Sequence, residues 1–216
     1  KMSTKIYFPP FTFPEILKNF KSKKKVNFIT NKIFFRKINT RNKPKKILIM
    51  NNGTGALTNL INKTLPFLKD MKNYKFYISS NKLKKNDTKN IVLINSSLKN
   101  MYSYIKKVDL VIARGGYNTI SECLILKKPS ILSNEQYNPE VNTNLRIMNK
   151  KHLCSTITYN DWDKYKLKKK IDIFVEKDYD LILRNIQKNN FKNNGSTQIV
   201  KDIKKEIKKF YDKNNR

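Results

Sequence analysis

Residues 109–122 read D-L-V-I-A-R-G-G-Y-N-T-I-S-E. The run 109–113 is apolar after its opening acid and does not alternate with polar residues, as in a strand buried on both faces. Arg114, Gly115 and Gly116 break it, and from Thr119 to Leu126 the apolar spacing is helical. Strand, glycine turn, helix is the edge at which open α/β sheets bind ligands. Glycine there lets backbone N–H groups approach a phosphate, and a helix start adds partial positive charge. Asn118 or Thr119 is suited to cap that helix. Glu122 lies about one turn in. A carboxylate there accepts hydrogen bonds from both ribose hydroxyls of a nucleotide, or simply favours the helix N-terminus. The residues alone leave the two readings open.

The same unit occurs upstream. Residues 46–50, K-I-L-I-M, are a short apolar run that ends in Asn51, Asn52, Gly53, Thr54 and Gly55. Leu57, Leu60, Ile61, Leu65 and Leu68 then recur at helical spacing. The chain has five glycines, and four of them fall in these two loops. This concentration favours ligand binding over mere turn formation. Neither loop matches the dinucleotide fingerprint or the P-loop. Further strands are expected at 75–79, 91–95, 129–132 and 154–157, and helices at 98–106 and 141–151. Strands alternating with helices predict a parallel sheet covered on both faces. Residues 162–213 read as mostly helical. Ile199, Ile203, Ile207 and Phe210 form a stripe on the last helix, expected to pack against a domain, with a membrane-surface helix as the second reading.

Residues 1–44 differ. Tyr7 to Pro10 and Phe13 to Ile16 are extended, proline-marked pieces. Residues 21–25 are a charge run, and Val26 to Thr30 reads as a short strand. The expected organisation is a connector or domain remnant at 1–44, an α/β domain bearing both glycine loops at 45–160 and a helical segment at 161–216. The first residue is Lys, so an excerpt or truncated product is expected.

The 216 residues carry 47 basic and 16 acidic side chains, a net charge of +31. Such charge points to nucleic acid or an anionic membrane. Only six of the basic residues are Arg, however, at 36, 41, 114, 146, 184 and 216. Nucleic-acid readers use Arg for bidentate base contacts. A solvated Lys-rich surface is therefore the better reading. Peripheral contact with an anionic membrane is kept and nucleic acid is set aside. No run is long and apolar enough for a transmembrane helix. Cys123 and Cys154 are too few for a disulfide framework or zinc site and read as buried hydrophobes, which fits a cytoplasmic setting. His152 is the sole histidine, which excludes mechanisms in this chain that need two.

Residues 133–142, S-N-E-Q-Y-N-P-E-V-N, come directly after the expected strand 129–132 and so fall at the same edge. Gln136 and Asn142 are neutral hydrogen-bond formers suited to sugar hydroxyls; on these residues alone an ordinary polar loop is the stronger reading.

Three pieces together resemble a known family: I-L-I-M-N-N-G-T-G, V-D-L-V-I-A-R-G-G-Y-N-T-I-S-E-C-L-I-L-K-K-P-S-I-L and E-Q-Y-N-P-E-V-N. Over 45–157 the chain is similar to the C-terminal domain of family 28-like glycosyltransferases. These are related to the enzyme that adds N-acetylglucosamine to the undecaprenyl-linked cell-wall precursor. The resemblance implies the C-terminal half of a GT-B fold: an α/β, Rossmann-like, doubly wound parallel sheet with additional C-terminal helices. It implies a nucleotide-sugar donor, usually a UDP-sugar such as UDP-N-acetylglucosamine, and hexosyl transfer to an acceptor that is lipid-linked in some relatives. By that analogy Glu122 binds the ribose, while Gly115, Gly116, Asn118 and Thr119, in a loop with Arg114 and Tyr117, approach the diphosphate. Gly53, Thr54 and Gly55 line the other side of the cleft, and Glu135 and Gln136 contact the sugar. No metal or other cofactor is expected, since loop amides and helix dipoles stabilise the departing diphosphate.

The first loop is less glycine-rich than in relatives. An N-terminal acceptor-binding domain, or a separate subunit as in split enzymes, is expected to complete the enzyme at the inner face of the membrane. No catalytic base is identified among Asp161, Asp163 and His152. The alternatives are a nucleotide-sugar hydrolase or epimerase of the same fold, and a Lys-rich nucleic-acid-binding protein.

Overall fold

In this computed structural model, residues 5–10, 22–29, 44–50, 57–79, 88–94, 98–192 and 194–214 are described. In chain order the strands and helices are β1 (Lys5–Phe8), β2 (Ser22–Lys25), β3 (Lys46–Met50), α1 (Thr58–Leu68), β4 (Lys75–Ser79), β5 (Ile91–Ile94), α2 (Leu98–Lys107) and β6 (Leu110–Arg114). They continue with α3 (Tyr117–Ile125), β7 (Ser130–Ser133), α4 (Pro139–Lys150), β8 (Ser155–Ile157), α5 (Lys164–Ile173), α6 (Tyr179–Lys188) and α7 (Gly195–Asn214). A π-helical turn, Phe174–Asp178, joins α5 to α6. The chain forms two compact units, one of Phe35–Asn190 and one of Lys1–Phe34 with Phe191–Arg216.

The larger unit is built on a sheet in the order β5-β4-β3-β6-β7-β8, every pair parallel. Its strands are apolar because both faces are covered. Ile47, Leu48 and Ile49 of β3 and Leu110, Val111, Ile112 and Ala113 of β6 are all fully buried. Each such Leu or Ile contributes roughly 1.5–3 kcal/mol by leaving water. The start of β3 is held by Asp109, whose Oδ2 accepts from the backbone N–H groups of Lys45 and Lys46 at 3.0 and 2.9 Å.

From β3 the chain builds outward through β4 to β5, then returns to lay β6 on the other side of β3. It next builds outward through β7 to β8. This is the doubly wound order of dinucleotide-binding sheets, and the direction reverses between β3 and β6. The crevice beyond the carboxyl ends of these two strands is where such sheets bind ligands. The Gly115–Gly116 turn stands there. The loop with Gly53, Thr54 and Gly55 lies outside the described residues.

In the smaller unit β1 and β2 pair in parallel, from Lys5 against Ser22 to Phe8 against Lys25. The strand expected at Val26 to Thr30 is therefore displaced. It falls on the charged run Ser22–Lys25, and Val26 and Phe28 are buried outside any strand. The lysines are tolerated because the strand exposes alternate residues and because Lys24 reaches an acid. That acid is Asp202 of α7, only 7% exposed. It accepts from Lys5 Nζ at 2.7 Å, Lys24 Nζ at 2.5 Å and Tyr7 OH at 2.7 Å. Phe28 stacks near Phe191, with ring centroids 5.6 Å apart. The piece Phe13 to Ile16 lies outside the described residues.

Within its own unit the apolar stripe of the last helix is largely uncovered, Ile199 alone being half-buried. Ile203, Ile207 and Phe210 are 44%, 50% and 65% exposed. The helix is anchored by its polar side instead. Asp202 takes three donors, Gln198 Oε1 accepts from Asn27 N–H at 2.8 Å, and Gly195 N–H donates to the Phe28 carbonyl at 3.1 Å. Fixing that side turns the stripe outward.

Candidate functional site

The site forms where β6 and β7 end side by side. Register pairs Ala113 with Leu132 and Arg114 with Ser133, so the loops after these strands leave the sheet together. Gly115 N–H donates to the Ser133 carbonyl at 3.0 Å, and Gly116 N–H to the Arg114 carbonyl at 2.9 Å. The two glycines do different work. A Cβ on Gly115 would lie 2.7 Å from Leu145 Cδ2 of α4, so glycine is needed for packing. A Cβ on Gly116 would meet only the Arg114 side chain, at 3.5 Å or beyond.

Gly116 is the N-cap residue of α3, in extended conformation, and no side chain caps the helix. This corrects the expected capping by Asn118 or Thr119. The helix starts at Tyr117, so both lie inside its first turn, where their side chains are past the capping position. Asn118 is exposed and Thr119 buried. The Tyr117 N–H donates to Glu140 Oε1 at 3.3 Å, a carboxylate from the first turn of α4 meeting the helix start. Sequence reasoning did not single out Glu140.

Glu122 sits one turn into α3, half-buried. Burial pushes its carboxyl above the ordinary carboxylate range. Among the described residues, no hydrogen bond or ion pair reaches that carboxylate. A desolvated acid without a partner is costly, and a ligand hydroxyl pair would offset that cost.

The second loop is tied to the first. Arg114 Nη1 pairs with Glu135 Oε2 at 2.5 Å, with 18% and 23% of the two side chains exposed. Asn138 Nδ2 donates to the same oxygen at 2.8 Å, while its Oδ1 accepts from Val141 N–H and caps α4. Gln136 Nε2 donates to the neighbouring Tyr137 hydroxyl at 3.1 Å, and Tyr137 is strongly exposed at φ 66°. Asn142 is exposed in the first turn of α4.

Asn144, missed from sequence, is buried and donates to the Gly115 carbonyl at 3.3 Å, bracing the turn from α4. Trp162 Nε1 donates to Ser133 Oγ at 3.1 Å, bracing the end of β7. Nothing in their spacing marked either residue.

Of the residues left open as bases, the two acids have other occupations. Asp161 is held below the usual carboxylate range by hydrogen bonds from Thr158 and Lys166. Asp163 caps α5 by accepting from Lys166 N–H at 2.8 Å. His152 is exposed at φ 49°. Cys123 and Cys154 are both buried, and burial pushes both thiols up, that of Cys154 to about 12. Among the described residues there is no cluster of three His, Cys, Asp or Glu arranged to hold a metal. Nor is any described helix long and apolar enough to cross a membrane.

Known proteins share this fold. Residues 51–207 match the model of the glycosyltransferase family 28 C-terminal domain. Over 190 residues the chain is 28% identical to the UDP-N-acetylglucosamine--N-acetylmuramyl-(pentapeptide) pyrophosphoryl-undecaprenol N-acetylglucosamine transferase of Thermosipho melanesiensis. That alignment covers 83% of this chain and 52% of the relative, so the chain spans about half the relative's length. The structure of Acinetobacter baumannii MurG superposes with a TM-score of 0.61 at 16% identity, over 77% of this chain and 51% of that one. The spinosyn rhamnosyltransferase SpnG, solved with thymidine diphosphate, superposes with a TM-score of 0.53 at 12% identity, over 80% and 48%. These likenesses give the same Rossmann-like half of a GT-B fold that the strand order shows. With more than half its length matched, the chain belongs to the glycosyltransferase family 28 C-terminal domain family.

Proposed function

We propose that this chain is the donor-binding half of a glycosyltransferase. In this reading it holds a nucleotide sugar, of which a UDP-sugar such as UDP-N-acetylglucosamine is the best-supported class, for transfer of its hexosyl group. The observation that carries the reading is Glu122. It is a half-buried carboxylate without a partner among the described residues, one turn into a helix that starts at the switch point of the sheet. The ribose of the donor supplies two hydroxyls to it. The diphosphate lies at the start of α3, over Gly116, where it takes the place of the Glu140 carboxylate and helix N–H groups favour an anion. The sugar extends toward Glu135, Gln136 and Asn142. Gly53, Thr54 and Gly55 are kept as donor-binding residues on the family resemblance alone. The helix start and loop amides hold the leaving diphosphate, which removes the need for a metal.

The names of two relatives support the ligand class. One uses a UDP-sugar and a pyrophosphoryl-undecaprenol acceptor, and another was solved with a nucleoside diphosphate. A lipid-linked acceptor at an anionic membrane surface, presented by an N-terminal domain or separate subunit, belongs to the same proposal.

The test is calorimetry and thermal shift with UDP, GDP, CMP and dTDP and their sugars. Selective stabilisation by one base is expected, and Glu122→Ala should weaken that nucleotide by roughly 1.5–3 kcal/mol, the value of a charged hydrogen bond. Unchanged affinity in a folded Glu122→Ala protein would overturn the ribose assignment. Indifference to every nucleotide, together with salt-sensitive binding to polynucleotide, would replace the whole reading with nucleic-acid binding. Release of free sugar without acceptor would replace transfer with hydrolysis.

A further inference from the structure

In the donor-site reading, diphosphate and sugar fall on two separate loops, and an acid, Glu135, is joined to the phosphate loop through Arg114. Such an acid needs a compensating charge. Arg114 is the last residue of β6, and strand register sets it beside Ser133, two residues before Glu135. Its guanidinium binds Glu135 on one side. On the other it lies against Gly116, with Nη2 3.5 Å and Nε 3.9 Å from where a Cβ would stand. Arg114 Nε is buried without a hydrogen-bond partner among the described residues. Glu135 is fixed in turn by Asn138, which caps α4. The series β6, Arg114, Glu135, Asn138, α4 thus ties the two loops through one shared carboxylate oxygen.

We propose that Arg114 is a positioning residue that neutralises Glu135, so that the Glu135–Gln136 turn can face the sugar without repelling the diphosphate at the start of α3. The inference rests on the donor-site reading and extends it. An uncompensated carboxylate would oppose any phosphate there. It would oppose UDP most, because its terminal phosphate monoester carries roughly one more negative charge than the diester of a UDP-sugar. Lysine is a poor replacement, since a point charge cannot hold Glu135 and line Gly116 together as the planar fork does.

The experiment is a double-mutant cycle on the full chain. UDP and UDP-N-acetylglucosamine are the probes, binding is measured by calorimetry, and melting temperature is checked for every variant. Arg114→Met should weaken both probes, UDP more steeply, by about tenfold. Glu135→Gln should leave UDP as tight as in the parent or tighter. The double variant Arg114→Met with Glu135→Gln should recover UDP binding by roughly threefold or more over Arg114→Met alone. A purely structural Arg114 gives no such recovery. Equal UDP affinity in Arg114→Met and in the double variant, both folded, overturns the proposal. If Arg114→Met does not fold, Arg114→Gln with and without Glu135→Gln makes the same comparison. Failure of the parent chain to bind either probe would instead remove the donor-site reading beneath it.

Discussion

At the scale of single residues, Gly115 and Gly116 look alike in sequence and are not alike in space. Gly115→Ala drives a methyl into buried Leu145 and should cost about 1–3 kcal/mol in denaturant unfolding, the usual penalty of overpacking. Gly116→Ala meets only a side chain in ordinary contact and has a φ of −73° that any residue adopts, so stability should hold within about 0.5 kcal/mol. Its effect should fall on nucleotide affinity. Equal stability losses in the two variants would contradict this division.

Glu122 makes a second prediction at this scale. Its folded pKa is raised by burial above the 4.5 of a free side chain. The folded state therefore binds the proton more tightly, and ionisation removes stability as pH rises through that range. Glu122→Gln should then match or exceed the parent in melting temperature at neutral pH. The gap should close as pH falls below about 4.5. A neutral-pH melting temperature clearly below the parent's would show that the carboxylate has a stabilising partner after all.

Among the elements, α7 is the informative case. Its period is plain in sequence, and a stripe of Ile and Phe ordinarily marks the buried face. Asp202 reverses that expectation by drawing Lys5, Lys24 and Tyr7 to the polar face. Lys24 first, then Lys5 and Tyr7, hold its carboxyl well below the usual range. A depressed pKa contributes stability above the unfolded value near 3.8 and loses it as pH falls through the lower folded value. Asp202→Asn should lower the melting temperature at pH 7, with a smaller deficit in strong acid. A deficit independent of pH would mean that packing, not charge, anchors the helix. The displaced strand Ser22–Lys25 has the same origin, because pairing with β1 outweighs the poor strand propensity of lysine.

For the molecule as a whole, the net charge of +31 is the dominant fact. Like charges at this density oppose compaction. Raising ionic strength from about 0.01 M to 0.15 M shortens the screening length from about 30 Å to 8 Å. Calorimetry should show the melting temperature rising over that interval. A fall would mean that specific ion pairs such as those of Asp202 outweigh the repulsion.

The sheet was readable in advance because its signals are local. Apolar runs at 46–50 and 110–113, each leading into glycine and a helical period, imply buried parallel strands wherever they lie in space. The family likeness is local too, since it rests on contiguous motifs around Gly115 and Glu122. Features that depend on long-range pairing were not readable. Nothing in the spacing of Arg114 and Glu135 announces an ion pair; strand register sets the two side by side. The packing of Gly115 on Leu145, the brace from Asn144 and the outward turn of the α7 stripe likewise depend on residues distant in sequence. Sequence by itself thus determined the class of fold and singled out the loop proposed to bind the donor, because backbone periodicity and glycine freedom act over a few residues. Only the tertiary structure decided which of the described charges are paired and which are not, because such pairing depends on distances that chain order does not encode.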